Sequence, residues 1–175
     1  ESDLIPIAQK LSPGSALLSP RGDVSEHGAR RFFARLAEGV FDPAEVTRRT
    51  VALADFVVAA SKHYSVDPRR LIAVGFSNGA NVAATMMLLR PEVLGAGILF
   101  RPMVVLDQPA QRGTLAGRRV LLANGSVDPL VSPDDPPRLA ALLRAGGAEV
   151  DVEVLQASHQ LTPQDVALAQ AWMRK

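Results

Sequence analysis

No cysteine occurs among the 175 residues, which excludes disulfides, cysteine nucleophiles and cysteine-ligated zinc at once. Charge of one sign is equally lacking. The formal net charge is +1, and the arginines fall in scattered pairs (Arg30-Arg31, Arg48-Arg49, Arg69-Arg70, Arg118-Arg119) rather than in one basic run. That pattern does not suggest a nucleic-acid surface. No apolar stretch approaches the ~18 residues of a membrane span, and no secretory signal is visible. A soluble, cytoplasmic protein is the expectation. The chain opens on Glu1 and not on Met, which leaves room for an upstream segment. What is present is apolar bulk: 47% of residues are hydrophobic and the mean hydropathy is +0.12. This suits one globular domain with a substantial core. No fixed-period repeat, low-complexity tract or linker divides it.

Short β-rich runs alternate with helical patterns. Apolar runs at 16–18, 71–74, 97–100 and 120–123 read as strands, and 150–155 alternates apolar with acidic residues as an edge strand would. Asp42-Pro43-Ala44-Glu45 carries an N-cap, a proline at the first helical position and an acid at the third. Behind it Val46, Thr50, Leu53, Val57, Ala60 and Tyr64 recur at intervals of three and four and predict one buried face. Thr162-Pro163-Gln164-Asp165 repeats the start signal, followed by a stripe of Val166, Ala169 and Met173. A further helix is predicted over 133–145, ended by Gly146-Gly147. Strands alternating with helices imply an α/β fold, a mostly parallel sheet with helices on both faces. In such sheets the chemistry gathers at the carboxyl ends of the strands.

Three residues stand at predicted strand ends. Gly75-Phe76-Ser77-Asn78-Gly79 matches G-x-S-x-G between an apolar strand and a helix beginning near Ala80. A nucleophile on a tight strand-to-helix turn needs small flanking residues, and the helix N-terminus favours a developing oxyanion. Asp128 lies in the loop after 120–123, with Asp107 as its competitor, while Asp134 and Asp135 look like residues of a helix start. His159 follows the strand ending at Leu155. Of the other two histidines, His63 falls near a helix end and His27 in a polar loop, on the surface or beside a substrate. Serine, acid, histidine is the chain order of α/β-hydrolase triads.

These motifs resemble the bacterial carboxylesterase/phospholipase family of α/β-hydrolases. That group is related to acyl-protein thioesterases and includes esterases associated with hydroquinone and catechol degradation. The resemblance runs over nearly the whole chain: Asp3-Leu4-Ile5-Pro6, Ser19-Pro20-Arg21-Gly22, Gly75 to Asn81, Leu99-Phe100-Arg101-Pro102-Met103, Gly125-Ser126-Val127-Asp128-Pro129 and His159-Gln160-Leu161-Thr162. Arg31 to Leu36 and Gly39 to Asp42 resemble the family's insertion beside the active site, which places an insertion at 25–44 of a single domain spanning 1–175. The resemblance implies Ser77 as nucleophile, Asp128 as acid and His159 as base. It also implies the Asn78 backbone N–H as an oxyanion donor, and ester or thioester hydrolysis through an acyl-enzyme without metal or organic cofactor. Homodimers are common in the group.

Two departures stand out. Ser158 occupies the position before the histidine where the family usually has glycine, and a side chain there is expected to shift His159 slightly. The family's first strand and its His-Gly-x-Gly loop, source of a second oxyanion donor, have no counterpart before Asp3. The expectation is an N-terminally incomplete domain, with that strand belonging between 16–18 and 71–74. Phe32, Phe33, Phe41 and Met103 could line an apolar substrate pocket or belong to the core. Arg31, Arg35 or Arg101 could meet an anionic group of a substrate or pair structurally. Two rivals stay open: a non-catalytic binding protein on the same fold, and a dienelactone hydrolase, a group that commonly carries cysteine at the nucleophile.

Overall fold

The computed structural model describes residues 2–26 and 28–175. Helix α1 (Ile5–Leu11) is followed by a small antiparallel hairpin, β1 (Val24–Glu26) with β2 (Ala29–Arg31). Helix α2 (Pro43–His63) starts at Asp42, whose carboxylate accepts a hydrogen bond from the Ala44 N–H at 3.0 Å. A short 3-10 turn at Pro68–Arg70 leads into β3 (Ile72–Phe76), α3 (Asn78–Leu89) and β4 (Ala96–Phe100). Then come β5 (Arg119–Gly125), α4 (Asp135–Ala145), β6 (Glu149–Leu155) and α5 (Pro163–Met173).

The main sheet has the order β3-β4-β5-β6 and is parallel throughout. Parallel neighbours need crossover connections, and helices supply them between β3 and β4 and between β5 and β6. One core lies between the sheet and α2, α3 and α4, and joins Met87, Leu99, Leu122 and Leu143. A second lies on the opposite face under α1 and α5, and joins Leu11, Ile98, Leu121 and Trp172. Helices thus cover both faces, as the alternating pattern predicts. In β5, Val120, Leu121, Leu122 and Ala123 are all fully buried, the apolar run expected of a central parallel strand. In β6 the exposed Asp151 and Glu153 alternate with apolar residues, which discourages pairing at the sheet edge.

Two expectations need correction. Residues 16–18 form no strand: Leu17 and Leu18 are 43% and 44% exposed, and β3 pairs only with β4 among the described residues. Three apolar residues without a ladder partner cannot hold a strand. In α2 the buried residues are Val46, Thr50, Ala54, Val57 and Ser61, while Tyr64 is 69% exposed. The predicted face is right at its start and drifts by one residue at its end, where Ser61 turns inward by donating its hydroxyl to the Val57 carbonyl at 2.8 Å. His27 lies outside the described residues.

Candidate active site

Strand β3 runs straight into α3 through a single residue, Ser77. Its φ of +50° and ψ of −117° lie far from any relaxed conformation of a non-glycine residue. Hydrogen bonds on both sides hold it there. The Ser77 N–H donates to the Phe100 carbonyl at 2.9 Å, and the Ser77 carbonyl accepts from the Asn81 N–H at 2.9 Å. Gly75 is sterically required, because a Cβ there would lie 2.6 Å from the Gly79 carbonyl oxygen and 2.7 Å from the Ala80 Cα. Gly79 is not: a Cβ at that position would meet only the Phe32 ring, at 3.8 Å. The sequence expectation of two small flanks therefore holds for one of them.

The turn lifts the Ser77 hydroxyl to the carboxyl end of the sheet, where two later loops converge on it. Ser77 Oγ lies 3.0 Å from His159 Nε2, and His159 Nδ1 lies 2.8 Å from Asp128 Oδ2. The Asp128 side chain is fully buried and that of His159 is 19% exposed. The second Asp128 oxygen accepts the Leu130 N–H at 2.9 Å, which fixes the carboxylate on its own loop. Phe76 packs against the imidazole, ring centroids 5.2 Å apart. Asp107, the competing acid, is exposed and paired with Arg138 at 2.9 Å. Asp134 stands at the N-cap position of α4 without a side-chain cap bond, and Asp135 accepts the Val104 N–H at 3.2 Å. His63 ends α2, where a helix C-terminus favours a cation. Ser158 is exposed and lies outside the positive-φ region.

Asn78 is the first residue of α3, and the first N–H groups of a helix have no partner within it. Its side chain has another task, accepting the Phe32 N–H at Oδ1 (2.8 Å). Asn81, one turn on and 3% exposed, accepts the Met103 N–H at 2.9 Å. The two asparagines thus anchor the loops on either side of the serine to one helix. Of the two, the sequence points to Asn78 alone as a site residue. Asn81 was legible in principle, as a polar residue on a helix too apolar to face solvent.

A cavity of about 240 Å³ opens beside Ser77, Asn78, Asn81 and His159, walled by Arg31, Arg35, Glu38, Phe41, Met103 and Leu130. Of the four aromatic and sulfur candidates, Phe41 and Met103 line it. Phe33 does not: it is fully buried against Val46, Val82 and Val105, edge-on to Phe41 with centroids 5.5 Å apart. Phe32 packs on that same cluster instead of lining the cavity. The arginines of the wall face the cavity and also pair structurally. Arg35 donates to Glu26 at 2.9 Å and 3.1 Å and to Glu38 at 2.7 Å, and Arg31 lies 2.9 Å from Glu26. The hydrogen bond to Glu26, followed by the pull of Glu38, holds Arg35 above the usual guanidinium value.

Arg101 meets no substrate. It is 0% exposed, and its guanidinium forms a two-pronged ion pair with Asp165 (2.7 and 2.9 Å). Burial, the largest influence on Asp165, pushes its carboxyl up. The hydrogen bonds from Arg101 and Thr162 together outweigh it and hold the carboxyl below the usual carboxylate range. Among the described residues, no three histidine or acidic side chains cluster so as to hold a metal ion, and no helix is long and apolar enough to cross a membrane.

A parallel sheet sheathed on both faces, with a serine on the strained turn into a helix, is the architecture of the α/β-hydrolases. No protein-family model matches the chain. It is 37% identical to MhqD of Bacillus subtilis (strain 168), a protein named as a hydrolase, over all 175 residues and 87% of that protein. Among solved structures, it superposes on a Bacillus cereus carboxylesterase with a TM-score of 0.93 at 37% identity, covering 98% of this chain and 81% of the other. A Mesorhizobium loti carboxylesterase gives a TM-score of 0.91 at 33% identity, with coverage of 99% and 82%. The chain belongs to the α/β-hydrolase family that contains MhqD and these bacterial carboxylesterases.

Proposed function

We propose that the protein is a serine carboxylesterase in which Ser77, His159 and Asp128 work as a catalytic triad. The observation that carries this reading is the continuous chain of contacts, 3.0 Å from Ser77 Oγ to His159 Nε2 and 2.8 Å from His159 Nδ1 to Asp128 Oδ2. In the proposed reaction Ser77 Oγ attacks the carbonyl carbon of an ester while His159 Nε2 accepts the hydroxyl proton. Asp128 accepts the Nδ1–H bond, holds the productive tautomer and stabilises the imidazolium. Negative charge on the former carbonyl oxygen is met by the Asn78 N–H at the positive end of α3. The tetrahedral intermediate collapses and the alcohol leaves with the proton from His159. Water then enters by the same route, and the acid is released from Ser77. Every step balances with ester and water alone.

The cavity favours small substrates. Its 240 Å³ falls below the range typical of drug-sized ligands, so a short acyl group fits where a long chain would protrude. Phe41, Met103 and Leu130 supply apolar contact. Fidelity of the triad also ranks catalysis above a purely binding role, which has no use for an activated serine. Ser77→Ala is expected to lower kcat for a short p-nitrophenyl ester by at least about 10⁴-fold while leaving the circular dichroism spectrum unchanged. Turnover by that variant at the wild-type rate would rule the mechanism out.

A further inference from the structure

The segment that carries His159 lies between β6 and α5 and has no ladder or helix of its own. Such a stretch is held only by whatever bonds its backbone finds. The Ala157 carbonyl accepts the Val127 N–H at 3.1 Å, and the two carbonyls that flank His159 both turn to one side chain. Arg101 Nε donates to the Ser158 carbonyl at 2.9 Å, and Arg101 Nη2 donates to the Gln160 carbonyl at 3.1 Å. These are the carbonyls immediately before and after His159. The remaining guanidinium N–H groups go to the Ala123 carbonyl on β5 (3.0 Å) and to both oxygens of Asp165 on α5 (2.7 and 2.9 Å). A guanidinium has five N–H donors, and all five are engaged.

The side chain therefore ties the end of β4, the end of β5, the first turn of α5 and both sides of His159 to one rigid plane. Asp165 completes the frame, because its Oδ2 also accepts the Thr162 N–H at 2.8 Å where the segment enters α5. Gly125 lets β5 approach closely, since a Cβ there would sit 2.3 Å from the Ala157 carbonyl oxygen. Arg101 itself adopts φ +53°, a conformation disfavoured for an arginine, and its buried bonds hold it there.

We infer that Arg101, locked by Asp165, is a positioning residue for the catalytic base: it sets the distance from His159 to Ser77 by gripping the backbone on both sides of the imidazole. The inference rests on the triad reading, and Arg101 touches no substrate. A planar fork is required, because an ammonium is a point donor that cannot reach two carbonyls and a carboxylate in one plane. A displacement of about 1 Å at a catalytic group is enough to cost about 10²-fold in rate.

Two variants and a control test it. Arg101→Lys keeps the charge and loses the fork. Arg101→Met combined with Asp165→Asn removes both charges, so no lone charge stays buried. Leu139→Ala opens a cavity in α4, remote from the His159 segment, and serves as a control for lost stability alone. Two quantities are read well below each variant's Tm: kcat and KM for a short p-nitrophenyl ester, and the downfield proton resonance of the His159 Nδ1–H bonded to Asp128. The expected result is a kcat lower by about 10²-fold with KM little changed and loss of the resonance in both Arg101 variants, with Leu139→Ala keeping both. Wild-type kcat and an intact resonance in either folded Arg101 variant would overturn the inference. Loss of the resonance in a protein that hydrolyses no ester would uphold the positioning role and sink the esterase reading instead.

Discussion

Gly75 and Gly79 flank the same serine, yet they do unequal work. A methyl group at 75 would press into the backbone of the first turn of α3, whereas one at 79 meets only the edge of the Phe32 ring. Gly75→Ala is expected to destabilise the fold by about 1–3 kcal/mol and to cut activity by pushing Ser77 off its turn. Gly79→Ala is expected to leave stability unchanged or raise it by up to about 1 kcal/mol, since alanine is the better helix former. Urea unfolding midpoints of the two variants check this, and equal losses would contradict the steric asymmetry. The G-x-S-x-G pattern was legible from five letters because its chemistry is local. Which glycine is indispensable was not, because that depends on how closely α3 folds back over β3. Arg101 shows the same limit more sharply. Its partner Asp165 is 64 residues away, and nothing in Phe100-Arg101-Pro102 tells a buried clamp from a substrate-binding arginine.

Among the elements, the capped helices and the apolar runs of the main sheet were readable, and the short run at 16–18 misled. Asp42 and Thr162 begin α2 and α5 as their sequences predict, and Thr162 with Asp165 forms a full capping box. Residues 16–18 lack any such local signal and form no strand. Asp165 links its helix to acid stability. Its folded pKa is depressed by Arg101 and Thr162 against the opposing effect of burial. The stability it contributes is therefore complete above the unfolded carboxylate value of about 3.9 and is lost as pH falls from there through the lower folded value. Tm measured from pH 7 down to pH 2 is expected to hold its Asp165-dependent part until about pH 4 and then to fall. Asp165→Asn is expected to be less stable at neutral pH and to show a shallower acid decline. A decline as steep as that of the wild type would show that other carboxylates govern it.

At the scale of the whole molecule, one sheet brings together three side chains that are distant in the chain. The parallel order places the ends of β3, β5 and β6 along one rim, so residues just beyond each strand meet without any of them contacting in sequence. That rule, more than any single motif, made Ser77, Asp128 and His159 legible beforehand. The cavity wall was harder to foresee, because the residues between Arg31 and Phe41 have little regular structure and their facing depends on the Asn78 anchor to Phe32. This rim is expected to activate one serine and no other. A fluorophosphonate probe reacts with a serine made nucleophilic by its base, so the most direct measurement is peptide mass spectrometry after labelling the folded protein. One adduct, on Ser77, absent from Ser77→Ala and much slower to form in His159→Ala, is the result expected. No adduct, or one that persists when Ser77 is alanine, would contradict the account.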